Sequence, residues 1–213
     1  MNYKKSEFKD EIRERILRAA LAEFSQHGFD AANMNHIAAN ADTTKQLIRY
    51  YFGSKENLYK AVLEVVSGSM RIVEGAEMFD SLNATEAIKA LVDKMFDEFV
   101  ANPSYVMLTL DQSIHHGSHI TDKSQFIPNM RFVIERIVAP IVNRGIVTGE
   151  FRQTLNPGMV CWIIFHVVTA GFLNGKVFSQ VSGVDLSSGA GAKLWRASAT
   201  KFILRALRPA RSV

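Results

Sequence analysis

Apolar residues recur at steps of three and four along almost the whole chain, and no run of four to eight β-branched or aromatic residues alternates with polar ones between turn signals. That periodicity predicts an all-α protein. Ile12, Ile16, Ala19, Ala20 and Phe24 form one stripe, Arg13, Glu14 and Arg18 face outward, and Gly28 stops the helix. Two short segments follow, Met34–Asn40 and Thr44–Phe52, separated by Ala41-Asp42-Thr43. Neither reaches the roughly 12–15 residues that an isolated helix needs. Gly53-Ser54 ends one helix and caps the next, which runs to about Glu74 with Glu56 near the positive end of its dipole. Further periodic segments cover 84–101, 103–116, 123–148, 156–178 and 190–207, divided by Asn102-Pro103, Gly117, Gly149 and the stretch from Gly183 to Gly189. Eight or nine helices are expected. A functional boundary falls near residue 53, which separates a head, 1–53, from a helical body, 54–213.

Short helix, tight turn, short helix is the helix-turn-helix arrangement, and the residue types meet its packing needs. Ala38 is small where the helices cross, and Ile37 and Ile48 are apolar where each faces the core. Asp42 suits a left-handed turn residue, second only to glycine. Thr43 is expected to cap the second helix, with Gln46 completing a capping box. The outward face then offers Thr44, Lys45, Gln46, Arg49 and Tyr50. Arg and Lys read guanine edges, Gln reads adenine, and hydroxyls bind phosphate. Lys55, at the start of the next helix, is placed to hold a phosphate beside backbone N–H groups. These features point to double-stranded DNA as the partner.

Arg15-Ile16-Leu17-Arg18-Ala19-Ala20, Phe24, Gly28-Phe29, Met34-Asn35-His36-Ile37-Ala38, the run from Thr44 to Phe52 and Ser54-Lys55-Glu56-Asn57-Leu58 together resemble the TetR family of bacterial transcriptional regulators. The resemblance spans roughly residues 10–63. It implies a three-helix DNA-binding head on a larger helical-bundle domain that binds a small-molecule effector and forms a homodimer. The function implied is a ligand-responsive repressor on an inverted-repeat operator. By position, Thr44, Lys45, Tyr50, Tyr51 and Lys55 match residues that approach DNA in such proteins, with Thr43 and Gln46 beside them. Asn33 stands where the family usually has Thr or Ser, Asp42 replaces the turn glycine, and Arg49 replaces a frequent tyrosine.

Composition narrows the setting. With 47% hydrophobic and 22% charged residues the chain is of the folded, globular class. Cys161 is the sole cysteine, which excludes an intrachain disulfide and suggests a reducing compartment. The start is charged, and the longest apolar run, Met159 to Leu173, is shorter than a membrane span and contains His166. A cytoplasmic protein with no membrane partner is expected. A net charge of +4 permits a polyanionic partner without requiring one.

Segment 156–178 is apolar on most sides and must be covered from more than one direction. It is expected to pair with 190–207, and with their two copies in a second chain, as a four-helix bundle. For the effector, Phe96, Phe99, Met107, Asp111, Phe126, Met130, Trp162, Phe165 and His166 are the candidates, Asp111 and His166 as buried polar groups that orient it. The rival reading is a metalloprotein or enzyme built on Asp111, His115 and His119, which are spaced one helical turn apart. Against it, Gly117-Ser118 interrupts the helix, and the stretch leads into a loop where solvated polar residues are expected. Cys161 reads as an inert thiol in an apolar run. No cofactor motif, phosphate loop or nucleophile elbow is present, so no catalytic or metal residue and no cofactor is assigned.

Overall fold

Burial follows the stripe read from the first segment: Ile16 and Ala20 are fully enclosed and Phe24 nearly so. The structure, a computed structural model, describes residues 2–68, 75–121, 124–186 and 188–210. Ten α-helices occur among them and no strand. In chain order they are α1 (Asn2–Ala31), α2 (Met34–Asn40), α3 (Lys45–Phe52), α4 (Lys55–Gly68), α5 (Ala84–Ala101), α6 (Pro103–Ile114), α7 (Phe126–Phe132), α8 (Ala139–Val147), α9 (Pro157–Ser182) and α10 (Gly189–Leu207). Among the described residues a 3₁₀ turn, Ala76–Phe79, precedes α5. The part of the fourth helix expected to reach Glu74 lies outside the described residues beyond Gly68.

Two compact units divide the chain, one of Met1–Ser69 with Ser104–Phe126 and one of Met70–Pro103 with Ile127–Val213. This division does not coincide with the functional boundary drawn near residue 53. In the first unit α1 packs on α2 and α4 through Ile16, Leu17, Ala20 and Phe24, which meet Ile37, Ile48, Leu58 and Val62. Leu108 of α6 joins this core. The short helices α2 and α3 therefore persist because each presses a buried isoleucine, Ile37 or Ile48, against longer helices.

Gly28 interrupts α1 at φ 72 and ψ 176, and one helical turn continues beyond it to Ala31. The expected stop is thus a kink. Its neighbour across the fold is α6: the Phe29 N–H donates to Asp111 Oδ1 at 3.1 Å.

In the second unit α5 packs against α8, α9 and α10. Ile88, Leu91, Val92 and Phe96 of α5 are buried, as are Ile141, Val142, Ile164, Val168 and Ile203 on its neighbours. Segment 123–148, expected as one helix, contains a π-helical stretch, Val133–Val138, between α7 and α8. Helix α9 runs to Ser182, 26 residues, and by length and composition it could cross a bilayer. The apolar run is therefore longer in structure than in sequence. One face of α9, with Val160, Ile164, Val168 and Thr169, is buried within the unit.

Candidate functional site

Asn33 caps α2, its side chain accepting from the Asn35 N–H at 2.8 Å. The Asn33 N–H in turn donates to Glu23, a buried carboxylate that also lies 3.4 Å from His36 Nδ1. Asp42 takes the left-handed conformation the turn requires, φ 47. Arg15 fixes that turn from α1: its guanidinium donates to the Ala41 carbonyl at 2.7 and 3.1 Å and to the Asp42 carbonyl at 2.6 Å, and lies 3.6 Å from the Asp42 carboxylate. Sequence reading gave Arg15 no role. Its one legible signal is a cation on the near side of the stripe, and nothing in the order of residues pairs it with a turn some 26 positions away.

The cap of α3 is Thr44, whose Oγ1 accepts from the Leu47 N–H at 3.1 Å. This corrects the assignment of the cap to Thr43 and removes the capping box with Gln46, because the helix begins one residue later than expected. Ile48 and Phe52 face inward. Lys45, Gln46, Arg49 and Tyr50 face outward, Tyr50 at 72% exposure. Thr44 is also exposed, whereas Thr43 and Tyr51 are half-buried, and the Tyr51 ring stands edge-on to Tyr50 at 5.5 Å. Helix α3 thus presents a convex ridge of one ammonium, one carboxamide, one guanidinium and one phenol, with all apolar side chains turned away. Ser54 caps α4 through the Asn57 N–H. Lys55 does not stand free: its Nζ donates to the Asp30 carbonyl at 3.0 Å and lies 5.2 Å over the Phe29 ring.

A cavity in the second unit, of about 40 Å³, is lined by Leu91, Met95, Glu98 and Phe99 of α5, Met130 of α7, Val133, Ile134 and Val138 of the π stretch, and Cys161, Trp162, Ile164 and Phe165 of α9. Burial pushes the Cys161 thiol up to about 11, so at neutral pH it is held as the neutral thiol and reacts slowly with electrophiles.

Residues 16–62 match the family profile of bacterial regulatory proteins of the tetR family, and residues 85–203 match that of the tetracyclin repressor-like C-terminal domain. The chain belongs to the TetR family. The HTH-type transcriptional repressor NicS of Pseudomonas putida is 29% identical over 199 residues, 93% of each chain. The transcriptional regulator SCO4942 of Streptomyces coelicolor superposes with a TM-score of 0.67 at 20% identity, covering 92% of this chain and 99% of that one. KstR2 of Mycobacterium tuberculosis gives 0.65 at 18%, covering 93% and 95%. As a TetR-family protein the chain is a DNA-binding transcriptional regulator with a helix-turn-helix head.

In this TetR-family body, Phe99, Met130, Trp162 and Phe165 of the nominated effector residues come together around the cavity. Phe96 is buried but does not line it; it packs on Phe172 with Arg196 over its face. His166 is exposed rather than buried, stacked on Trp162. Met107 is 40% exposed, and Phe126 is half-buried. Leu91, Met95, Val133, Ile134, Val138, Cys161 and Ile164 escaped notice because plain aliphatic wall residues have the same signature as core.

Asp111 belongs to a different network, within the first unit. Its carboxylate accepts from the Phe29 N–H and from the Tyr59 hydroxyl, and Gln112 Nε2 donates to Tyr59 Oη at 2.9 Å and lies 3.3 Å from His119 Nδ1. Burial, then the Asp111 carboxylate, hold the Tyr59 phenol above its usual value. Asp111 is buried as expected, and Gln112 and His119 are buried too, which corrects the expectation of a solvated stretch there: the chain folds back after Gly117 and packs the His119 ring on Phe29 and Tyr59 at 4.5 and 5.0 Å. Asp111 is thereby spent on helix positioning, and among the described residues no three His, Cys, Asp or Glu side chains form a metal-binding group.

A groove between α5 and α10 collects positive charge. Lys89, Lys193, Arg196, Lys201, Arg205 and Arg208 line it against Asp93, with Arg196 paired to Asp93 at 3.8 Å and to Asp97. Residues 1–53 carry eight Lys and Arg against seven Asp and Glu. The head's affinity for DNA therefore comes from where its cations stand rather than from bulk charge.

Proposed function

We propose that the chain is a cytoplasmic repressor that binds an inverted-repeat operator as a homodimer and leaves it when a small molecule occupies the body. The observation that carries this reading is the α3 ridge: Lys45, Gln46, Arg49 and Tyr50 stand in solvent while Ile48 and Phe52 anchor the helix from behind. Asn33, Thr43, Thr44, Tyr51 and Lys55 flank that ridge. The hydroxyl of Thr44 is engaged by Leu47 and the ammonium of Lys55 by Asp30, so in this reading both position backbone against phosphate more than they read bases.

Dimerisation is supported by α9 and α10. Met159, Ile163, Val177 and Val181 share a side of α9 distinct from that of Val160, Ile164 and Val168, and are 62, 50, 64 and 83% exposed. Leu194 and Phe202 of α10 are 53 and 63% exposed. So much uncovered apolar surface on a regulator's body fits an isologous four-helix interface. Effector release is supported by the cavity, which shares α5 and α9 with this bundle: a ligand that binds one arrangement of those helices better than another shifts the head separation by its differential affinity.

Selection of duplexes from a random pool tests the reading. Enrichment of an inverted repeat with half-sites about 34–36 Å apart, bound less tightly as salt rises, is the expected result. Absence of any enriched site at low salt would overturn it.

A further inference from the structure

We infer that the molecule received by the cavity is uncharged and rich in hydrocarbon; this rests on the effector reading above and names the ligand's class. Eleven of the twelve lining residues are aliphatic, aromatic or sulfur-bearing, and their backbone amides belong to helices, where they already have partners. The twelfth, Glu98, has its carboxylate engaged by Asn102 Nδ2 at 3.0 Å. A ligand carboxylate would therefore meet no cationic donor, only the indole N–H of Trp162, and one like charge, and an ion without a cationic partner in an apolar site costs far more than hydrocarbon contacts return. Phe165 stands edge-on to both Trp162 and Phe99, with centroids 5.8 and 6.0 Å away, so a ring or alkyl chain entering here meets ring faces and edges.

The space of about 40 Å³ exceeds the roughly 10–15 Å³ one water requires but not a ring system's need, so the walls must yield. Met95 and Met130 are adaptable side chains, and the π stretch contributes Val133, Ile134 and Val138. Trp162 of this lining is 44% exposed, so part of the wall itself meets solvent.

Cys161 makes the test direct, because the chain's one thiol lines the cavity and its rate of maleimide labelling reports occupancy. The full-length protein is labelled alone and with naphthalene, 2-naphthoate or 2-naphthylmethylammonium, and with octanol against octanoate. Labelling slowed severalfold by naphthalene or octanol, and unchanged by the carboxylates, is expected. Protection by a carboxylate equal to that of its neutral partner, or by neither neutral compound, overturns the inference. So does protection by the ammonium that exceeds naphthalene's and disappears in Glu98→Gln, which would make the site a cation receptor. Ile134→Phe should abolish naphthalene's protection while the helical circular-dichroism spectrum is kept; protection retained in that variant places the ligand elsewhere and overturns the inference as well. Operator affinity is read separately, so protection without DNA release supports the ligand class while removing the effector reading.

Discussion

Gly28 meets two demands at once. Its backbone lies at φ 72 and ψ 176, a conformation left almost wholly to glycine, and a Cβ added there would stand 2.6 Å from Asp111 Oδ1. Gly28→Ala is expected to cost at least about 1–3 kcal/mol, read as a lower denaturation midpoint; an unchanged midpoint would show that α1 needs no kink. His119, in the same network, is held below the usual histidine value of 6.5, first by burial and then by the charge of His115. The unfolded chain then binds more protons than the folded one as pH falls through 6.5, so the contribution is whole above that pH and declines below it. Thermal midpoints measured at about pH 7.5 and about pH 5.5 should fall further apart in the wild type than in His119→Gln. A break at Gly28 is legible in sequence because glycine is a local signal of interrupted helix, although the turn that continues beyond it to Ala31 is not. Its partner Asp111, 83 positions on, is not, and a buried carboxylate that ties α1 to α4 has the same sequence signature as a ligand-orienting one.

At the scale of elements, periodicity located α2, α5 and α10 to within a residue or so, since each buries a single stripe. It missed the cap of α3 by one position: Thr43 and Thr44 are equally good caps, and the turn pinned by Arg15 decides between them. Thr44→Ala should therefore destabilise the protein by about 1 kcal/mol and Thr43→Ala by less; the reverse order in chemical denaturation would restore the earlier assignment. The π stretch was illegible because the apolar steps on either side of it are still three and four, and the extra residue per turn shows only when the chain is packed. The exposed face of α3 was legible in full, as polarity on a short capped helix. On it, Arg49→Ala should cost about 1–3 kcal/mol of operator binding and relax the preferred bases if the guanidinium reads guanine. An unaltered preference in duplex selection would assign Arg49 to phosphate instead.

For the whole molecule, the proposed homodimer rests on α9 and α10. Phe202→Glu places a charge in the middle of the uncovered apolar surface, and sedimentation at micromolar concentration should show a monomer where the wild type is a dimer. A dimer in both would move the interface elsewhere. The whole-molecule charge pattern was also out of reach of composition, which gives a total and not a place. The groove between α5 and α10 is lined by six cations and one carboxylate while residues 1–53 are nearly balanced, a distribution that a total of +4 does not disclose. A head whose charges almost cancel can still tell one duplex from another, because contact with a base edge depends on where a cation stands and not on the sum.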